Sequence, residues 1–124
     1  MKVLLSIKPE YAEKILVGEK KYEFRKVLPK ALDVTTVVIY ATKPVGMVVG
    51  EFEIEKFLSH KPSKLWSLTS ASAGISKGFF NEYFRGRETA HAIKVRDVRR
   101  YEEPLTLGSV LTNGIAPQSF CYLS

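Results

Sequence analysis

The most informative stretch of the sequence is GEKKYEFR at residues 18–25, where ionic side chains follow one another at a spacing typical of a β-strand. Successive side chains of a strand point to opposite faces, so Glu23 and Arg25 share one face and Phe24 points to the other. A guanidinium offers a planar set of donors for phosphate or a base edge, and a carboxylate accepts from an exocyclic amine. If this face is enclosed, the charges indicate a ligand site, because burying them unpaired is costly. If it is open, it is an ordinary solvated strand face.

The elements that position this stretch are predicted from hydrophobic periodicity and from helix-terminating residues. A strand over residues 2–7 is followed by a helix that begins at Pro9 and ends at Gly18 in the left-handed conformation. The helix thus leads through a tight turn into a strand at residues 20–26. Further strands are predicted at residues 35–41, 47–57, 89–99 and 120–123, and further helices at residues 62–68 and 76–84.

The order of these elements predicts the fold class. Strands outnumber helices and do not alternate with them regularly, so a doubly wound parallel sheet is not expected. The sequence predicts an α+β fold, a small and mostly antiparallel β-barrel with two or three short helices. Ser76 is expected to cap the last helix and Gly50 to mark a bulge. A length of 124 residues without repeats or linkers indicates a single domain over residues 1–124.

The charge balance favours an anionic partner. Nineteen basic and thirteen acidic residues give a formal net charge of +6. A small basic domain is attracted to polyanions, among which nucleic acid is the commonest inside a cell, although many basic domains bind none. No acidic residue occurs between Lys56 and Asn81, so this segment is either a phosphate-facing surface or a solvated loop.

Other function classes are disfavoured by what the sequence lacks. Cys121 is the sole cysteine and stands apart from both histidines, His60 and His91, so neither a disulfide nor a metal site is expected. The G-x-G-x-x-G, G-x-x-x-x-G-K-[ST] and H-E-x-x-H motifs do not occur, and no cofactor is expected. The apolar runs are too short for a membrane span or a secretory leader, which favours a cytoplasmic protein without membrane contact.

The stretch LLSIKPEYAEKILVGEKKYEFRK, with a lysine and a Glu-x-Arg strand directly after the first helix, resembles the signature of the ASCH domain family, a branch of the PUA-like superfamily. The resemblance implies a compact β-barrel with a basic cleft beside the first helix. Kinship with RNA-binding PUA domains implies RNA, or a nucleotide or nucleoside, as the partner. Later stretches agree in the same order: Tyr40-Ala41-Thr42-x-Pro44, Gly50-Glu51-Phe52, Phe80-x-x-Tyr83-Phe84-x-Gly86 and Pro117-Gln118-Ser119-Phe120.

Carried over by position, the resemblance places Lys20, Glu23 and Arg25 on the floor of this cleft. Residues at the end of the first strand flank it, and Thr42 lies near its rim. Tyr40 either stacks on a base or is a core aromatic with its hydroxyl at the edge. The predicted ligand-binding residues are Ser6, Lys8, Lys20, Glu23, Arg25, Tyr40 and Thr42.

An enzymatic role in the same cleft is the alternative, with Lys20 and Glu23 as the catalytic residues. One branch of relatives hydrolyses N4-acetylcytidine with a lysine, a threonine and a later glutamate. Lys20 matches the lysine, but Glu23 stands at the threonine position and residues 69–75 contain no acidic residue. Other relatives are ribonucleases, and Lys20, Glu23 and Arg25 are able in principle to assist attack by a 2′-hydroxyl. A protein-interaction domain that does not use the cleft is the third possibility.

Overall fold

A computed structural model describes residues 1–123 of the chain. It contains six strands, four short helices and one 3-10 turn at Ser70–Ser72. In chain order the elements are β1 (Lys2–Ile7), α1 (Pro9–Leu16), β2 (Tyr22–Arg25), β3 (Thr36–Ala41), β4 (Met47–His60), α2 (Pro62–Thr69), α3 (Lys77–Tyr83), β5 (Ala90–Leu105), α4 (Leu107–Val110) and β6 (Phe120–Leu123).

The strands form one curled sheet in the order β2-β5-β4-β3-β1-β6. Only β1 and β3 pair in parallel, and all other neighbours are antiparallel. The predicted α+β, mostly antiparallel and barrel-like fold is therefore confirmed. None of the helices within residues 1–123 is long and apolar enough to cross a membrane.

Most predicted elements are present, with shifts at their ends. Strand β2 is limited to Tyr22–Arg25, because the N–H groups of the two residues before it bind the carbonyls of Lys14 and Ser72 rather than a neighbouring strand. Strands β4 and β5 are longer than predicted, since their pairing extends into polar sequence that hydrophobic alternation does not mark. Ser76 caps α3 as expected, and its hydroxyl accepts a hydrogen bond from the Phe79 N–H at 3.0 Å. The sequence patterns do not predict α4.

The core lies on both faces of the central strands. Val3, Leu5 and Ile7 of β1 pack with α1 on one face, as their period of two predicts. Leu4 points to the other face and is also fully buried, in a smaller cluster with Tyr40. Burial on both faces explains why β1 and β3 are nearly continuous hydrophobic runs.

A separate aromatic cluster fixes α3 against β2. The ring of Phe24 lies 5.2 Å from that of Phe80, and Phe80 lies 4.9 Å from Phe84, with edge-to-face geometry in both pairs. Leu65 of α2 completes this cluster and is fully buried. The packing sets the distance between α3 and the strand that carries Glu23 and Arg25.

Gly50 lies where β4 crosses closely over β5 and α1. The β4–β5 register shifts between Val48 and Gly50, at the position where a bulge is predicted. A Cβ atom at this position would lie 2.6 Å from the Arg99 carbonyl oxygen and 2.8 Å from Leu16 Cδ2. The Arg99 carbonyl belongs to the backbone of β5 and is not free to move away, so the position requires glycine.

We therefore expect Gly50→Ala to lower the free energy of unfolding by about 1–3 kcal/mol, the usual cost of overpacking. Gly108→Ala is the matched control, because a Cβ there meets nothing within 4 Å. Urea denaturation of the two variants measures the difference. Equal stabilities would contradict the close approach at Gly50.

Candidate functional site

A cleft of about 650 Å³ opens between α1, α3, β2 and the segment that precedes β6. Its ionic lining consists of five cations and one carboxylate. Its remaining lining is mainly aromatic and hydroxyl-bearing. The lining residues that matter below are Ser6, Lys8, Tyr11, Lys20, Glu23, Arg25, Lys26, Phe79, Tyr83, Arg87, Gln118 and Ser119.

Lys20 is a buried cation at the base of the cleft, only 2% exposed. The tight turn after α1 delivers it, with the Lys20 N–H bound to the Lys14 carbonyl at 3.0 Å and Gly18 at φ +86°. Its ammonium donates to the Ala73 carbonyl at 2.6 Å and lies 4.8 Å from the centre of the Phe24 ring. Burial lowers the pKa of Lys20 from 10.5 to about 8, so the side chain is still mainly protonated at neutral pH.

Gly74 makes the burial of Lys20 possible. A Cβ atom on Gly74 would lie 2.6 Å from both Cβ and Cγ of Lys20, and φ at this glycine is +68°. The segment between α2 and α3 therefore fits closely around the stem of the lysine. The adjacent Ala73 supplies the carbonyl that receives the ammonium.

Glu23 and Arg25 form a buried ion pair on one face of β2. Arg25 Nη1 donates to Glu23 Oε2 at 3.2 Å, and the two residues are 8% and 6% exposed. This face is therefore not the solvated strand face that the sequence left open. Burial raises the pKa of Glu23 despite the opposing charges of Lys20 and Arg25.

Arg25 also joins two edges of the sheet. Its guanidinium donates to the Ser6 carbonyl at 3.3 Å, to the Ser119 carbonyl at 3.0 Å and to Ser119 Oγ at 2.6 Å. Together with the bond to Glu23, these contacts occupy four of its five N–H donors. Arg25 lines the cleft as predicted, but most of its donors hold the protein itself together rather than remaining free for phosphate.

The rim of the cleft carries exposed cations beside aromatic rings. Lys8 Nζ lies 5.5 Å from the centre of the Phe79 ring, and Lys26 Nζ lies 4.9 Å from that of Tyr83. Arg87 is the third exposed cation of the lining. Within residues 1–123, none of these three cations has an ion-pair partner within 4.0 Å. The rim therefore presents uncompensated positive charge.

The structure brings together five of the seven predicted site residues and places the other two elsewhere. Tyr40 is 6% exposed and packs with Leu4 and Val48, so it is the core aromatic of the two alternatives. Its strand, β3, lies between two neighbours and is covered on both faces. Thr42 follows β3, and its N–H binds the Ile7 carbonyl at 3.0 Å, but it does not line the cleft. The cleft contains Ser6, Lys8, Lys20, Glu23 and Arg25.

Sequence reasoning missed the aromatic wall and the C-terminal wall of the cleft. Phe79, Phe80, Tyr83 and Phe84 lie at helical positions that span roughly 140°, the width of an ordinary buried stripe, so the sequence did not distinguish exposed Phe79 from buried Phe80. Ser119 belongs to the family-like stretch at residues 117–120, but nothing in that stretch indicates a contact with Arg25, which is remote in the sequence.

No group of three or more His, Cys, Asp and Glu side chains within residues 1–123 is placed to hold a metal ion. The chemistry available in the cleft is therefore that of charges, hydroxyls and aromatic faces. Lys20 and Glu23 have pKa values shifted toward neutrality from opposite sides, so both are suited to exchange protons.

We expect Gly74→Ala to disturb this site as well as the fold. The new methyl group strains a left-handed backbone and also collides with the Lys20 stem, whereas Gly86→Ala strains a similar backbone with nothing within 4 Å. Urea denaturation should show Gly74→Ala to be less stable than Gly86→Ala by about 1–3 kcal/mol. The Lys20 pKa, followed by NMR, should return from about 8 toward 10.5 in Gly74→Ala alone. An unchanged Lys20 pKa would contradict the role given to Gly74.

Comparison with known proteins identifies the family. The sequence profile of the ASCH domain matches residues 5–103. An ASCH domain-containing ribonuclease of Zymomonas mobilis subsp. mobilis is 32% identical over 123 residues, and the match covers 97% of this chain and 82% of that protein. ATP synthase subunit alpha of Ureaplasma parvum serovar 3 is 34% identical over 122 residues, but this chain spans only 15% of its length.

Solved structures agree with the sequence matches. The crystal structure of ASCH from Zymomonas mobilis superposes with a TM-score of 0.90 at 33% identity, covering 99% of this chain and 87% of that one. The curled sheet, its short helices and the Glu-x-Arg strand after the first helix thus occur together with a profile match over most of the sequence. The chain belongs to the ASCH domain family.

Proposed function

We propose that this protein binds RNA in the cleft beside α1. The observation that carries the proposal is the ionic lining, in which five cations face a single carboxylate. The relative from Zymomonas mobilis is named a ribonuclease, which favours RNA over other polyanions as the ligand. A volume of about 650 Å³ lies within the range of pockets that enclose one small ligand, roughly 300–1,000 Å³, so it suits a nucleotide unit of the strand.

The cations divide into two groups with different tasks. Lys8, Lys26 and Arg87 are exposed at the rim and form no ion pair with any residue of the described range 1–123, so they are available to contact phosphates. Lys20 and Arg25 are buried and already bound to protein oxygens, so they set the potential and the shape of the floor. The rim cations contribute to affinity because each phosphate contact releases counterions from the RNA. The floor faces the part of the ligand that enters the cleft.

Glu23 is placed to read a polar edge of the ligand. It is the one carboxylate among the charged residues of the cleft, and Arg25 holds it in place through the bond at 3.2 Å. An ionised carboxylate accepts hydrogen bonds from an exocyclic amine, and a protonated one also donates. Burial raises the pKa of Glu23 and so favours the protonated form, which is the one that also donates.

The salt dependence of binding tests the role of the rim. We expect Lys8→Ala and Lys26→Ala each to reduce the slope of log K against log salt by about 0.7, the value for one phosphate contact on a single strand. Lys64→Ala, which removes an exposed lysine of α2 outside the cleft, is the matched control. Fluorescence anisotropy with a labelled RNA measures all three slopes.

An NMR titration of the same protein with RNA locates the binding site. Amide resonances of residues 20–25 should move on titration with RNA, because these residues form the floor. If none of them moves, or if Lys64→Ala changes the slope as much as Lys8→Ala, the cleft is not the RNA site.

A second candidate function is RNA cleavage, favoured by the name of the Zymomonas relative and by the opposite pKa shifts of Lys20 and Glu23. Ionised Glu23 would take the proton of a 2′-hydroxyl, whose oxygen attacks the adjacent phosphorus. The bond from phosphorus to the 5′ oxygen breaks, and the Lys20 ammonium gives its proton to that oxygen. The products are a 2′,3′-cyclic phosphate and a free 5′-hydroxyl.

The alternative hydrolase, which acts on acetylated cytidine, has less support. Glu23 stands at the position of the threonine that this hydrolase uses. Residues 69–75, where its catalytic glutamate is expected, contain no glutamate. In residues 69–75, the group that contacts Lys20 is the backbone carbonyl of Ala73, which accepts a hydrogen bond from its ammonium. No carboxylate within residues 1–123 lies within 4.0 Å of that ammonium. Of the two enzymatic alternatives, cleavage of RNA fits the residues better.

The pH profile tests the cleavage role. The base must be ionised and the acid protonated, so kcat/KM should rise through the raised pKa of Glu23 and fall above about pH 8 as Lys20 loses its proton. Glu23→Gln should remove the acid limb together with most of the activity. Lys20→Met should also abolish cleavage, while its thermal midpoint stays equal to or above that of the wild type, because a buried charge is replaced by an apolar chain. Full activity in either variant would exclude this mechanism.

A further inference from the structure

The wall that α3 presents to the cleft is aromatic. Phe79 and Tyr83 stand four residues apart on this helix, with rings parallel to within 10° and centres 6.3 Å apart. Phe79 is 36% exposed although it belongs to a well-packed aromatic helix. Both rings line the cleft, so they offer apolar surface to whatever enters it.

Each ring lies next to a lysine that has no carboxylate partner. Lys8 faces Phe79 at 5.5 Å and Lys26 faces Tyr83 at 4.9 Å, while neither lysine forms an ion pair within 4.0 Å in residues 1–123. An exposed cation on a ring is weakly held. A ligand that offers the ring a better partner, and the ammonium an anion, would displace it.

An unpaired nucleobase within an RNA strand provides both a flat face for the ring and an anionic phosphate for the ammonium. Its π-face stacks on an aromatic side chain irrespective of the base, and phosphates lie on either side of it. In a duplex the faces of each base are covered by its neighbours, and only a splayed-out or single-stranded base presents a free face. Two lysines on two different rings fit a phosphate on each side of one base, which a free mononucleotide lacks.

We propose that Phe79 and Tyr83 form the stacking platform of the cleft, that Lys8 and Lys26 move from these rings to the flanking phosphates, and that the site therefore selects single-stranded RNA over duplex RNA. This inference rests on the proposed RNA-binding function and specifies the form of RNA that the site accepts.

Two leucine variants and one phenylalanine variant test the platform. Phe79→Leu and Tyr83→Leu keep an apolar side chain but remove the ring, while Tyr83→Phe keeps the ring and removes only the hydroxyl. The probe is a fluorescently labelled single-stranded RNA hexamer of mixed sequence, compared with the same strand annealed to its complement. The wild type should bind the single strand at least about tenfold more tightly, and each leucine variant should lose on the order of tenfold on the single strand. Tyr83→Phe should stay within about twofold of the wild type.

The outcomes separate this inference from the function on which it rests. If the wild type binds both probes equally, or if Phe79→Leu keeps full affinity, the stacking platform is wrong while RNA binding stands. If the wild type binds neither probe, both proposals fail. Phe79→Leu decides the matter even if Tyr83→Leu does not fold, because the Phe79 ring is partly exposed and contributes less to the core.

Discussion

The guanidinium of Arg25 is the contact on which the shape of the cleft depends. It connects β2, at one end of the sheet order, with Ser6 at the end of β1 and with Ser119 just ahead of β6. A sheet with two open edges is thereby drawn around a cavity. Since the contact is a set of charge-assisted hydrogen bonds of fixed geometry, it is directional where hydrophobic packing would not be.

The second constraint on the structure is the burial of the charged side chain of Lys20, which hydrophobic packing alone does not require. Within residues 1–123, Lys20 is held without an ion pair, by one carbonyl oxygen and by aromatic faces, and the missing side chain of Gly74 leaves room for it. Replacing buried ions by apolar groups is often neutral or stabilising, so a fold under selection for stability alone has no use for this lysine. The arrangement is intelligible if the cleft needs positive potential and exchangeable protons.

The elements around the cleft could largely be predicted from the sequence, whereas the positions of some site residues could not. The strand–helix–turn–strand order around residues 18–25 follows from periodicity, Pro9 and Gly18, all of which are local signals. The sequence leaves two alternatives for Tyr40, because a core aromatic and a ligand-stacking aromatic look alike until the number of strands covering β3 is known. The role of Ser119 depends on a contact across 94 residues, and no local pattern encodes such a contact.

The walls of the cleft come from widely separated parts of the chain: the end of β1, the turn into β2, the helix α3 and residues 118–119. During synthesis on the ribosome, the residues of the floor and of the aromatic side therefore emerge before residues 118–119. A nascent chain that still lacks residues 117–120 has no Ser119 to accept hydrogen bonds from the Arg25 guanidinium, so this side of the cleft is not yet closed.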